Sequence, residues 1–191
     1  MGGSWRACRS GKTHFKTWKG NGLGTYVALL RGINVGGTGL VPMKELAALC
    51  SGLGFQAIRT YIQSGNVIFE SSLSEEGVRA CLEKALAARM GKKISVMVRT
   101  PAEMRLILSA NPFHRKEPAK VAVAFLCEPP PKDLAKNVVS PGGEKVQPGV
   151  REIYVYYPDG MGRSKLKLPL NGAATVRNIN TVSKLVELAE S

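Results

Sequence analysis

Acidic residues are scarce in this chain: 14 Asp and Glu stand against 27 Lys and Arg, a formal net charge of +13 over 191 residues. That shortage argues against chemistry built on clustered carboxylates, above all magnesium-dependent phosphoryl transfer, whose metal takes oxygen ligands. Histidine is scarcer still. His14 and His114 have no partner at metal-ligand spacing, so no zinc site is expected. The four cysteines, Cys8, Cys50, Cys81 and Cys127, form no C-x-x-C pair. Cys50 and Cys81 fall on the apolar faces of predicted helices and Cys127 ends a predicted strand, a pattern that reads as small core residues in a reducing compartment. No apolar run approaches the ~20 residues that span a bilayer. The N-terminus lacks the apolar centre of a signal peptide. These absences predict a cytoplasmic protein with no metal, no cofactor and no membrane contact.

The positive charge is unevenly spread. Residues 1–24 hold five cations, Arg6, Arg9, Lys12, Lys16 and Lys19, and no acid, which leaves +8 for residues 25–191. That excess favours an anionic partner. The first 24 residues are glycine-rich and without apolar period. They read as a disordered extension, an expression artefact or a misassigned start, with the folded part beginning near Thr25. Gly11-Lys12-Thr13 resembles the tail of a phosphate loop, but the glycine required five positions earlier is Arg6 and no strand precedes it.

From there the elements follow in order. Residues 26–30 form an apolar strand that runs into a turn rich in glycine, with Arg31, Asn34, Gly36 and Gly37. Such a loop before a helix start points free N–H groups at an anion. Pro42 opens a helix to residue 53, with Met43, Leu46, Ala47 and Cys50 on one face. Residues 57–63 and 67–70 read as a hairpin through Ser64-Gly65-Asn66. Ser74 caps a helix that Gly91 stops, and residues 94–99 are a strand. The order β-α-β-β-α-β predicts an α+β fold of ferredoxin-like, split βαβ plan. In the second half, Thr100-Pro101-Ala102-Glu103 starts a helix and Asn111-Pro112 ends it. Then come a strand at 121–127, a short helix near 132–138, a hairpin of 144–147 with 152–157, and a last helix at 180–189. The echo predicts two similar βαββα halves, residues 25–99 and 100–191, forming an α/β sandwich.

Several motifs together are more specific than any one. They are Leu30-Arg31-Gly32-Ile33-Asn34-Val35-Gly36-Gly37, Thr60-Tyr61-Ile62-Gln63-Ser64-Gly65-Asn66-Val67, Asn111-Pro112-Phe113 and Gly162-Arg163-Ser164-Lys165-Leu166, with Thr175, Arg177, Asn178, Asn180, Thr181 and Val182 near the end. In these the chain resembles the bacterial family called domain of unknown function 1697, from about Tyr26 to Ala189. Ile179 stands where many relatives carry tryptophan or methionine, and some have a longer segment between Leu166 and Thr175. The resemblance implies a mixed α/β fold and a cytoplasmic location, and no activity.

The polar motifs carry the prediction of function. Arg31, Asn34, Gly36, Gly37, Gln63, Ser64, Asn66, Arg163, Ser164, Lys165, Arg177, Asn178 and Asn180 are all hydrogen-bond donors or close-approach positions. Converging, they would bind a phosphate- or carboxylate-bearing small molecule. The plainer reading makes them a hairpin, a helix cap and packing groups. A second functional class is sequence-nonspecific nucleic-acid binding, with Tyr61, Tyr154 and Tyr156 stacking on bases. It lacks the aromatic-rich segment of RNA-recognition motifs. A third is an enzyme acting on a phosphorylated substrate. For it no catalytic residue is assigned: Ser64 and Ser164 lack a histidine in sequence context, and Asp159, in Pro158-Asp159-Gly160, reads as a turn residue.

Overall fold

A computed structural model describes residues 22–33, 41–170 and 174–191. Asn34, Gly36, Gly37 and most of the N-terminal stretch lie outside the described residues. The chain divides into two compact units, Met1–Pro101 and Ala102–Ser191.

The first unit runs β1 (Gly24–Leu30), α1 (Met43–Gly52), β2 (Gln56–Tyr61), β3 (Asn66–Ser71), α2 (Glu75–Met90) and β4 (Val96–Arg99). Its sheet has the order β2-β3-β1-β4, with every neighbour antiparallel. Each helix therefore joins two strands separated by a third, which is the split βαβ plan expected. Strand alternation sends Ala28, Leu30, Val67, Phe69, Val96 and Val98 to one face, where they bury Leu46 and Cys50 of α1 and Val78, Leu82 and Leu86 of α2. The Ser74 hydroxyl accepts from the Gly77 amide at 3.2 Å, and Gly91 closes α2 at φ +67°.

The hairpin departs from the expected alternation. The β2–β3 register shifts between Gln56 and Arg59, and Ala57 and Ile62 both sit at φ +48°. The turn occupies residues 62–65, and Asn66 begins β3, fully buried. Gly65 closes this turn. At φ +76° it lies under Ile33, and a Cβ there would stand 2.5 Å from Ile33 Cδ1. Only glycine lets the segment after β1 settle on the hairpin.

The second unit runs α3 (Pro101–Ser109), β5 (Val121–Leu126), α4 (Leu134–Asn137), β6 (Lys145–Pro148), β7 (Glu152–Tyr156), β8 (Ala174–Asn178) and α5 (Ile179–Glu190). Its sheet order, β6-β7-β5-β8, repeats that of the first. The repetition reaches single residues. Arg99 stands opposite Val27 on the central strand of the first sheet, and Arg177 opposite Val123 in the second. Each guanidinium donates to the carbonyl of the residue before it.

The helices are placed differently. Strand β8, absent from the sequence reading, precedes α5, and among the described residues only the 3-10 turn Met161–Arg163 lies between β7 and β8. One face of this sheet is covered by Leu134 and Val138 near α4 and by Leu166, Leu168 and Leu170 of an extended segment. On the other face Tyr154, opposite Val123, donates its hydroxyl to the Ile107 carbonyl of α3 at 2.9 Å.

Candidate functional site

In the first unit the first two polar motifs meet. Leu30 N–H donates to the Gly65 carbonyl at 2.8 Å and Arg31 N–H to the Ser95 carbonyl at 2.9 Å. Arg31 and Gln63 are exposed. Asn66 turns inward, its amide donating to the Tyr61 carbonyl and the Ser64 hydroxyl, both at 3.0 Å. Two of the expected ligand donors, Ser64 and Asn66, thus brace the turn they belong to.

In the second unit a pocket of about 390 Å³ opens between the turn at residues 140–143 and the loop after β7. Its origin is local. From Ser164 to Leu168 the backbone is extended, and alternate residues turn inward: Ser164, Leu166 and Leu168 are half-buried, while Arg163, Lys165 and Lys167 are exposed. The leucines anchor this segment to the second core. Arg163 and Lys165 then stand at the pocket with Tyr157, Asp159 and Glu144. Neither cation has an ionic partner or side-chain hydrogen bond among the described residues.

Glu144 organises the interior. It is buried at 8% exposure and accepts hydrogen bonds from the Ser164 hydroxyl and from the Gly142 amide at 2.9 Å. The Ser164 bond, followed by the backbone donors, holds its carboxyl below the ordinary carboxylate value. The Glu144 carboxylate thereby ties the turn at residues 140–143 to the segment that carries Ser164. The Tyr157 phenol is pushed up by burial and, secondarily, by the Glu144 charge.

Arg177 does not join this pocket. It shares the Val123 face of the sheet, whereas Ala122, Ala124 and Tyr157 belong to the face nearer the pocket. It is buried and donates to the Thr175 hydroxyl at 2.8 Å and the Val176 carbonyl at 2.9 Å. Burial lowers its pKa to about 10. Asn178 is the N-cap of α5, accepting from the Asn180 amide at 2.9 Å, and its own amide donates to the carbonyls of Pro118 and Ala119. The Asn111 motif is likewise a turn, with Asn111 Oδ1 accepting from the Phe113 amide at 3.0 Å. Of the tyrosines considered for stacking, Tyr154 is buried, and Tyr156 lies against Phe113 (6.1 Å) with Lys116 over its ring (5.3 Å).

Of the lining residues, Arg163, Ser164 and Lys165 belong to a sequence motif, whereas Glu144, Tyr157 and Asp159 do not. The scarcity of acids was the one signal that could have marked Glu144. Among the described residues no group of three or more His, Cys, Asp and Glu side chains is placed to hold a metal, and no helix is long and apolar enough to cross a membrane.

The family model described as "Protein of unknown function (DUF1697)" matches residues 23–154. The chain belongs to the DUF1697 family. The match takes in all six elements of the first unit's sheet and helices and ends within β7, so the Glu144 side of the pocket lies inside it and residues 159–165 beyond it. Among solved structures, this DUF1697 chain is similar to the conserved bacterial protein SP0830 from Streptococcus pneumoniae. The two share 23% identity and a TM-score of 0.73 over 88% of this chain and 99% of that one. At that identity the likeness shows a common fold. No curated protein matches this chain in sequence.

Proposed function

We propose that this DUF1697 protein binds a small molecule bearing a phosphate or carboxylate group in the pocket of its second unit. The observation that carries the reading is the pair Arg163 and Lys165. Arg163, at the end of the 3-10 turn, and Lys165, on the extended segment that follows it, both line a concavity of about 390 Å³ and have no ionic partner among the described residues. That volume is in the range of small-molecule sites. Arg supplies a planar fork of donors and Lys a point charge, a combination suited to an oxyanion. Binding is the role proposed for this pocket. A cytoplasmic location is proposed with it, supported by the free thiols of Cys50, Cys81 and Cys127.

The test is a thermal-shift series on the full chain with inorganic phosphate, a sugar phosphate, a mononucleotide, and short RNA and DNA at two salt concentrations. A ligand that binds only the folded state raises Tm, by the equivalent of about 2.7 kcal/mol at a hundred times its Kd. The expected result is a shift with small phosphates that Arg163→Ala or Lys165→Ala abolishes. A shift confined to oligonucleotides and lost at high salt would instead indicate phosphate-backbone binding. No shift with any of them overturns the reading.

A further inference from the structure

The pocket is not simply cationic. Facing Arg163 and Lys165 are two carboxylates, so its four charged linings balance. The two acids differ in what satisfies them. Glu144 is buried and already accepts from Ser164 and Gly142. Asp159 is exposed and accepts no hydrogen bond from any described residue. Its charge does reach Lys120, whose pKa is raised first by its bond to Glu117 and only lastly by Asp159. Lys120 is itself paired with Glu117 at 3.1 Å.

A bare anion in this pocket would gain from the two cations and be opposed by both carboxylates, of which Asp159 accepts no hydrogen bond from any described residue. A ligand that also presents hydroxyl groups turns that opposition into hydrogen bonds, because an ionised carboxylate is an acceptor only and binds a vicinal diol through both oxygens. Resting on the anion-binding reading above, we infer that the pocket takes a polyhydroxylated phosphate, a sugar phosphate or the ribose phosphate of a nucleotide. Arg163 and Lys165 hold the phosphate and Asp159 accepts from the sugar hydroxyls. Asp159 is then the residue that determines specificity. Its place is set by the Pro158-Asp159-Gly160 turn, where Gly160 adopts φ +84° and bonds back to the Tyr157 carbonyl at 3.1 Å.

The inference is tested by isothermal titration of the full chain with glucose 6-phosphate, ribose 5-phosphate and inorganic phosphate. Wild type, Asp159→Ala and Asp159→Asn are compared, with far-UV circular dichroism to verify folding of each. The expected outcome is that at least one sugar phosphate binds about tenfold more tightly than inorganic phosphate, the factor that about one hydrogen bond to a charged acceptor produces. Asp159→Ala should bring the two within about twofold of each other, and Asp159→Asn, which retains an acceptor oxygen, should restore part of the difference. Equal affinity for phosphate and sugar phosphates in wild type, with both tightened by Asp159→Ala, overturns this inference and leaves the anion site standing. Binding of neither phosphate nor any sugar phosphate by the folded wild type overturns both.

Discussion

Glu144 shows how one buried side chain sets the chemistry of its surroundings. Its carboxylate ties the turn at residues 140–143 to the extended segment through Gly142 and Ser164, and those donors keep its pKa low. A carboxyl with a depressed pKa stabilises the fold above its ordinary value of 4.5, and that contribution is lost as pH falls below it toward the lower folded value. Glu144→Gln is therefore expected to lower Tm at neutral pH and to flatten the fall of Tm on acidification below about 4.5. Thermal unfolding between pH 3 and 7 measures both, and an unchanged acid limb would show that Glu144 is not held by these bonds. Arg177 is the opposite case. Its cation is disfavoured by burial, and the fold accommodates it with Thr175 Oγ1 and the Val176 carbonyl. Arginine read from sequence as an anion donor is here used inside a sheet. A motif letter does not say which face of a strand it will occupy. Cys50, whose thiol burial pushes up to about 12, is a core residue in the same way that its helical spacing predicted.

At the scale of elements, the sequence was most legible where local signals agreed with packing. Ser74, Glu75, Glu76 and Gly91 delimit α2 as their cap and dipole preferences require, and its buried stripe holds Val78, Cys81, Leu82 and Leu86. It was least legible in the β2–β3 hairpin and in β8. Gly65 in the hairpin's turn lies close under Ile33, a contact distant in sequence that no local pattern encodes. Gly65→Ala should destabilise the protein by about 1–3 kcal/mol, combining left-handed strain with overpacking, and Gly65→Ala with Ile33→Ala should cost less than the sum of the two single substitutions. Urea denaturation of the single and double variants measures the coupling, and strict additivity would refute the contact. Strand β8 is five residues long and carries Thr175, Arg177 and Asn178 among its apolar positions. It exists because β5 offers it a full antiparallel edge from Ala122 to Leu126.

Across the whole molecule, two sheets of the same strand order are each built on a central apolar strand, β1 and β5. Each is flanked on both sides by hydrogen-bonded neighbours, and Val27–Leu30 and Val121–Leu126 are buried. Amides that open only with their unit exchange slowest. Native-state hydrogen exchange should therefore find the greatest protection in β1 and β5 and the least in the edge strands β2 and β6. Comparable protection throughout both sheets would contradict that ranking. The sequence by itself determined the elements of the first unit, the caps of its second helix and the family, because helix periodicity, strand alternation and capping act within a few residues. Only the tertiary structure decided that Asn66 and Arg177 turn inward and that Glu144, Tyr157 and Asp159 stand beside Arg163 and Lys165. The direction of Arg177 depends on which strand edges pair, and a shift of one residue in register reverses it, whereas the pocket depends on which loops the second sheet brings together.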